Sequence, residues 1–396
     1  MSSVNENESS SKLVVTGAPQ FHDRTSTARV MWSVVLCLLP ATAWGVAVFG
    51  AHAAAVLGVA IAVSVLFELL IDRVSAKAAS IARPATVRDG SAVLTGLLIG
   101  MSMPPEVPLL IPAAASAFAI VVVKWTFGGL GSNWMNPALA GRVFVFFSWT
   151  GAMTRWTMPS TLVGDGAQPL PDVLSGATPL GLVKTHLSGT GPIDVLHQLG
   201  FPQSQIDTQV TSWINAHLLD RLGAHLPGGY IDPFIGNVPG SIGEVSALLL
   251  LLGSVFMFGR KIIRWEIPSS YFLSFALLTW IFGGVRYHAG YFTGDVLFQI
   301  LTGGFMLALF YMATDPVTSP MSSSGMLIYG IGVGSFTFLI RTYGSYPEGV
   351  ALAIIFMNIF VPLINKLTSP RRYGVRTGRE LRVASQHSGA AREERI

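Results

Sequence analysis

Charge is scarce in this chain. Asp, Glu, Lys and Arg make up 12% of its 396 residues, against about 25% in a typical soluble domain. So few charges cannot cover a soluble protein of this size, which excludes a transcription factor and a cytosolic enzyme. Cysteine is scarcer still, for Cys37 stands alone in an apolar run. One thiol closes no disulfide and holds no iron–sulfur cluster or Cys-type zinc site within the chain. It reads as a small packed hydrophobe. No histidine lies well inside an apolar stretch, which argues against a bis-histidine haem in a membrane. No Gly-x-Gly-x-x-Gly follows a strand pattern, so no nucleotide-binding soluble domain is expected. What is abundant is apolar residues, at 51%, with the 42 glycines and 23 prolines set largely among them. The composition is that of an all-α integral membrane protein with polar ends and one long polar insert.

A bilayer core of about 30 Å takes about 20 apolar residues per helix. From Val30 to Ile71 the only charge is Glu68, and a turn at Gly50-Ala51-His52 divides that run into two spans. From Ser91 to Val123 the only charge is Glu106, and Pro104, Pro105 and Pro108 make another pair. A fifth span runs from about Pro137 to Met153 and contains Arg142. Five more are expected at 242–259, 266–284, 296–314, 323–341 and 348–366, giving about ten. The divisions are 1–28, an N-terminal segment; 29–153, a first five-helix unit; 154–240, an insert; 241–367, a second five-helix unit; and 368–396, a basic tail. Ala51-His52-Ala53 resembles a signal cleavage site. The stretch before it is too long for a signal core and carries Pro40, so it reads as a retained helix.

Lys and Arg set the orientation. With the N-terminus in the cytoplasm, the inner loops hold Arg73, Lys77, Arg83, Arg88, Lys124, Arg260, Lys261 and Arg264, and the C-terminal end holds Lys366, Arg371, Arg372, Arg376, Arg379 and Arg382. The short outer loops hold only Arg286 and Arg341. Both termini are therefore expected in the cytoplasm, with 154–240 outside.

The halves echo each other. Gly131–Ala140 (GSNWMNPALA) matches Gly344–Ala353 (GSYPEGVALA) at five of ten positions. Thr95-Gly96 matches Thr302-Gly303, and Pro104 and Pro108 match Pro316 and Pro320, at nearly the same offset. Each half has an odd number of spans, so the duplicate must insert upside down. Inverted repeats with Gly/Pro-broken helices build sites near the membrane midplane. A polar interior is predicted, lined by the breaks at Met101–Pro108 and Ala313–Pro320.

In the insert, Asp172 precedes Ser175-Gly176-Ala177-Thr178. Small residues leave the backbone bare beside the Thr178 hydroxyl, and Pro179 fixes the backbone after it. By itself this is a plausible modification acceptor, and such a turn is usually only a turn.

The pattern resembles the RnfD/NqrB family, membrane subunits of Rnf-type electron-transport complexes and of their sister, the sodium-translocating NADH:quinone reductase. Other segments agree: Leu13–Phe21, Asp89–Gly96, Gly128–Pro137, Gly236–Glu244, Ala313–Pro320 and Gly344–Gly349. The N-terminal approach favours the Rnf-type subunit. The resemblance implies a fold similar to urea and ammonium transporters, in the bacterial cytoplasmic (inner) membrane. It implies FMN joined through its phosphate to Thr178 by a flavin transferase, within the motif Asp172, Ser175, Gly176 and Ala177. It also implies a non-covalent riboflavin on the cytoplasmic side, for whose polar ring edge Asn133 and Asn136 are the candidates. The expected partners are other membrane and peripheral subunits, among them a second covalent-FMN subunit and an iron–sulfur subunit. The activity implied is ferredoxin:NAD(+) electron transfer coupled to sodium or proton movement. The alternatives are a small-solute permease, or the quinone-reducing sister complex.

Bland readings stand beside these. Asn136 with Pro137 reads as a helix cap. Ser241-x-x-Glu244 reads as a capping box opening the sixth span. Arg142 has either an interior partner or a snorkelling route to the surface. Asp315, with Glu68 and Arg142, is a candidate for an ion path, while Glu68 and Asp89 also suit surface pairs with Arg73 and Arg88. The basic tail suits anionic lipid heads, and nothing supports nucleic-acid binding.

Overall fold

The computed structural model describes residues 26–79, 86–159, 162, 177–186, 191–345 and 349–369. The described residues are helical, with no strand. Five helices are long and apolar enough to cross a membrane, and four shorter apolar ones accompany them. The chain is a multi-pass membrane protein.

The first half contains α1 (Thr27–Phe49), α2 (Ala51–Ala79), α3 (Ser91–Met101), α4 (Leu110–Phe118) and α5 (Pro137–Ser148). Gly50 separates α1 from α2 at φ 82°, a left-handed conformation open to glycine. α4 runs into a π-helical turn, Ala119–Trp125. A one-turn helix, α6 (Thr150–Met153), follows α5. The insert adds α7 (Pro179–Thr185), α8 (Pro192–Gln198), α9 (Gln205–Ile214) and α10 (Ile231–Ile235). The second half contains α11 (Ala247–Gly259), α12 (Glu266–Phe282), α13 (Val296–Leu301), α14 (Phe305–Leu307), α15 (Ser323–Tyr343) and α16 (Val350–Leu367). α14 likewise runs into a π-helical stretch, Ala308–Met312. The expected eighth span is thus broken at Thr302–Gly304, where Gly303 has φ 63°.

Neighbour relations repeat between the halves. α2 packs on α3 and α4, α4 on α5, and α1 on α3. Correspondingly, α12 packs on α13 and α15, α15 on α16, and α11 on α14. Across the halves α1 packs on α11 and α5 on α16. The starts of α4 and α15 lie 213 positions apart, as do those of α5 and α16. Small residues allow close approach: a Cβ on Gly96 would meet Ile61 Cα of α2 at 2.6 Å, and one on Gly334 would meet the Tyr271 carbonyl of α12 at 2.6 Å.

The insert has its own small core, in which Leu180, Val183, Ile193 and Tyr230 pack with Phe298 and Leu301 of α13. Two buried carboxylates staple it. Asp207 accepts from the backbone N–H groups of Gly229, Ile231 and Asp232 at 2.7, 2.9 and 3.0 Å. Asp232 accepts from Ser204 N–H and the Asn237 amide at 2.9 and 3.1 Å.

Several expectations need correction. α11 is capped by Ser246, which accepts from Leu249 N–H, so Ser241 and Glu244 form no capping box there. Glu68 does not pair with Arg73, and Asp89 accepts from Ser91 N–H at 2.7 Å rather than bridging to Arg88. Lys124 is not a loop charge, because it is 1% exposed. The cavity between the halves is lined by Asp315, Pro316 and Val317 but not by the break after Met101, whose freed Met101 and Met103 carbonyls accept from Gly243 and Ile242 N–H at 2.8 and 3.1 Å.

Candidate functional site

Between the halves lies an open cavity. The segment from Lys124 to Asn136 builds one wall. Gly128, Gly129 and Gly131 all have positive φ, which lets the loop fold back beneath the π turn. The Asn133 amide, oriented with its NH2 toward the loop, donates to the carbonyls of Lys124 and Gly129 at 3.1 and 3.0 Å. Asn136 caps α5: its side-chain oxygen accepts from Ala138 and Leu139 N–H at 3.0 and 3.3 Å. Its amide also donates across the halves to the Met312 carbonyl at 3.4 Å. The capping role expected of Asn136 is therefore present, and both asparagines line the cavity.

The opposite wall comes from Phe310, Tyr311 and the break after them. There Asp315 accepts from Val317 N–H at 3.3 Å and from the Thr318 hydroxyl at 3.0 Å. Val30, Met31, Leu94, Leu98 and Met257 contribute to the apolar lining. A mostly apolar cleft with a few placed polar groups suits an organic ligand.

Glu68 does not line the cavity, but its partner does. Lys124 Nζ donates to both Glu68 oxygens, at 2.8 and 2.9 Å, and to Ser91 Oγ at 2.7 Å. Lys124 and Ser91 are wall residues. Sequence reasoning missed this pair because Lys124 follows an apolar run and reads as a loop charge. The available signal was Glu68 itself, since a lone carboxylate in an apolar run needs a buried partner.

Arg142 lies elsewhere. It bonds Glu244 at 2.7 Å, with both side chains buried, so the interior-partner reading holds over snorkelling. A Cβ on Gly304 would sit 2.5 Å from the Glu244 carboxyl carbon, so glycine at the α13–α14 break leaves room for this pair.

Thr178 lies away from both. It is the N-cap of α7, is 5% exposed, and accepts from Gly181 N–H at 3.1 Å. Ala177 precedes it, while Asp172, Ser175 and Gly176 lie outside the described residues. At the other end of α7, Lys184 donates to the Ile340 carbonyl at 3.3 Å. Burial, then the nearby guanidinium groups of Arg286 and Arg341, push the Lys184 ammonium from its ordinary 10.5 down to about 8. Arg341 donates to the Gln299 and Thr302 carbonyls at 2.5 and 3.2 Å, and its guanidinium lies over the rings of Phe275 and Phe305. Among the described residues, no group of three or more His, Cys, Asp or Glu side chains is placed to hold a metal ion.

The structure therefore brings Asn133, Asn136 and Asp315 onto one cavity, with Glu68 one bond behind its wall. It places Thr178 and Arg142 away from that cavity.

Known proteins resemble the chain along most of its length. The model of the NQR2, RnfD, RnfE family matches residues 14–374. The D subunit of the proton-translocating ferredoxin:NAD(+) oxidoreductase complex of Clostridium ljungdahlii is 38% identical over 364 residues, covering 92% of this chain and 97% of that protein. The D subunit of the Na(+)-translocating ferredoxin:NAD(+) oxidoreductase complex of Acetobacterium woodii is 37% identical over 365 residues, covering 92% and 96%. The D subunit of the ion-translocating oxidoreductase complex of Stutzerimonas stutzeri is 37% identical over 373 residues, covering 89% and 93%.

Proposed function

This chain belongs to the NQR2, RnfD, RnfE family, and from that premise we propose that it is the D subunit of an ion-translocating ferredoxin:NAD(+) oxidoreductase complex. Its ten membrane spans form two inverted five-span repeats, a reading supported by the matching neighbour relations of the halves. Both termini face the cytoplasm of a bacterial inner membrane, and the insert lies outside. The subunit works with other membrane and peripheral subunits, among them a second flavin-bearing one and an iron–sulfur one. Two relatives of nearly equal identity are named for different ions, one for protons and one for sodium, so the cargo is a monovalent cation of either kind.

Two flavins belong to this reading: FMN esterified to Thr178 and riboflavin held without a bond. A bound flavin supplies one- and two-electron transfer. The chain's own residues suit both. Thr178 Oγ1 accepts its cap bond from Gly181 and donates none to any described residue. An ester oxygen keeps the lone pair that the cap uses. Gly181 leaves the space beside Oγ1 open, since a Cβ there would lie 3.3 Å away. This placement of Thr178, at the end of the Ser-Gly-Ala-Thr motif, is the observation that carries the proposal. Covalent attachment also holds the group at high local concentration near its electron partners. For riboflavin the apolar cavity suits the ring system, and Asn133 and Asn136 suit its polar edge. Asp315 and Glu68, with Arg142, are the ionisable groups proposed for the ion path.

The test is the purified chain from a host that has the flavin transferase. On a denaturing gel the wild-type band is fluorescent, and mass spectrometry finds the Thr178 peptide heavier by a flavin phosphoester. A dark wild-type band with a bare Thr178 peptide overturns the flavoprotein reading and favours a small-solute permease. Co-purifying subunits distinguish the Rnf-type complex from the quinone-reducing sister.

A further inference from the structure

A buried ion pair by itself is seldom the most stable arrangement, because two well-packed apolar side chains usually serve as well. The Glu68–Lys124 pair has side chains only 1% exposed, and it is not isolated. The Thr86 hydroxyl bonds Glu68 Oε1 at 2.9 Å and Asp72 Oδ2 at 2.8 Å. At the other end, Ser91 Oγ lies 2.7 Å from Lys124 Nζ, and both residues form the cavity wall. Asp72 and Thr86 are half-buried, beside exposed Arg73 and Arg88. Hydroxyls donate and accept at once, so a chain of such contacts passes protons. The π-helical turn Ala119–Trp125 contains Lys124, and such turns recur at functional sites.

We propose that Asp72, Thr86, Glu68 and Lys124, with Ser91 positioning the ammonium, form a proton relay from the face at Asp72 into the cavity. Lys124 releases one proton to a basic atom in the cavity, either water or a ring nitrogen of a reduced aza-aromatic group. Glu68 returns one proton to Lys124. Thr86 passes its hydroxyl proton to Glu68 as it accepts one from Asp72, which takes one from water. One proton enters, one leaves, and no electron moves. The other charged group on the cavity wall is Asp315, and Asp89 holds Ser91 through its backbone N–H.

The relay rests on the cavity's holding a reducible flavin, and the test separates the two. The whole complex is prepared as wild type, Thr86→Val and Thr86→Ser. Thr86→Val removes the linking hydroxyl and leaves the Glu68–Lys124 pair in place. Flavin released on denaturation is measured first, and its absence from the wild type overturns the cavity reading. Proton uptake on chemical reduction is then followed with a pH indicator in stopped flow. The expected result is uptake slowed by about 10²-fold in Thr86→Val, near-wild-type uptake in Thr86→Ser, and equal flavin content in all three. Equal uptake in wild type and Thr86→Val overturns the relay. A second readout needs no flavin. Infrared spectra after transfer to D2O follow exchange at the Lys124 ammonium, assigned by its loss in Lys124→Met. Exchange is slowed in Thr86→Val if the relay is correct, and unchanged exchange overturns it.

Discussion

Arg142 of α5 and Glu244, just before α11, form an ion pair at 2.7 Å across 102 positions of sequence. The two residues belong to different halves, so the pair ties the halves together inside the membrane region. Removing one partner leaves a buried charge, which costs about 3–5 kcal/mol. Arg142→Met and Glu244→Leu are each expected to lower the unfolding temperature in detergent strongly. The double substitution is expected to recover most of the loss. Additive losses in the double variant would show that the two residues act separately.

Thr178 has two roles that substitution separates. Thr178→Ala removes both the acceptor hydroxyl and the cap, and the cap is worth about 1 kcal/mol. Thr178→Asn restores capping without a hydroxyl. Both bands are expected to be dark on a denaturing gel, with Thr178→Asn the more stable of the two in thermal unfolding. A fluorescent band from either variant would place the flavin elsewhere.

Lys184 gives the insert a dependence on pH. Its folded value of about 8 lies below the ordinary 10.5, so the unfolded chain binds the proton more tightly. Protonation therefore disfavours the folded state below pH 8, and that penalty is relieved as pH rises from about 8 to 10.5. Relative to Lys184→Met, wild-type stability is expected to climb across that window. Unfolding temperatures at half-unit pH steps check this, and parallel curves would contradict it.

Two glycines make a matched pair. A Cβ on Gly45 would lie 1.8 Å from the Ile242 backbone oxygen, while one on Gly58 meets nothing within 4 Å. Gly45→Ala must push α1 away from the segment leading into α11, an overpacking cost of about 1–3 kcal/mol or more. Gly58→Ala is expected to be neutral or stabilising by about 0.5–1 kcal/mol, since glycine is unfavourable inside a helix. Yields of folded chain by size exclusion and unfolding temperature check both.

Helix positions were legible because apolar runs and their interruptions are local. Gly50, the Pro104–Pro108 cluster and Asn136-Pro137 punctuate the chain through φ preference and capping, which need only neighbours in sequence. In the insert, short helices form at Pro192–Gln198 and Gln205–Ile214, and from there helical turns run on to Leu222. The misreadings were long-range. Ser241 and Glu244 have capping-box spacing, but the helix begins later, capped by Ser246, and Glu244 pairs with Arg142.

The residues alone thus determined the class, the motif ending at Thr178, and the need of Glu68 and Arg142 for company. Only the tertiary structure decided which company: Lys124 for one, Glu244 for the other, and a shared cavity for Asn133, Asn136 and Asp315. The reason is physical. Hydropathy and backbone preference act over a few residues, whereas the partner of a buried charge is chosen by whichever distant element the packing brings within about 3 Å.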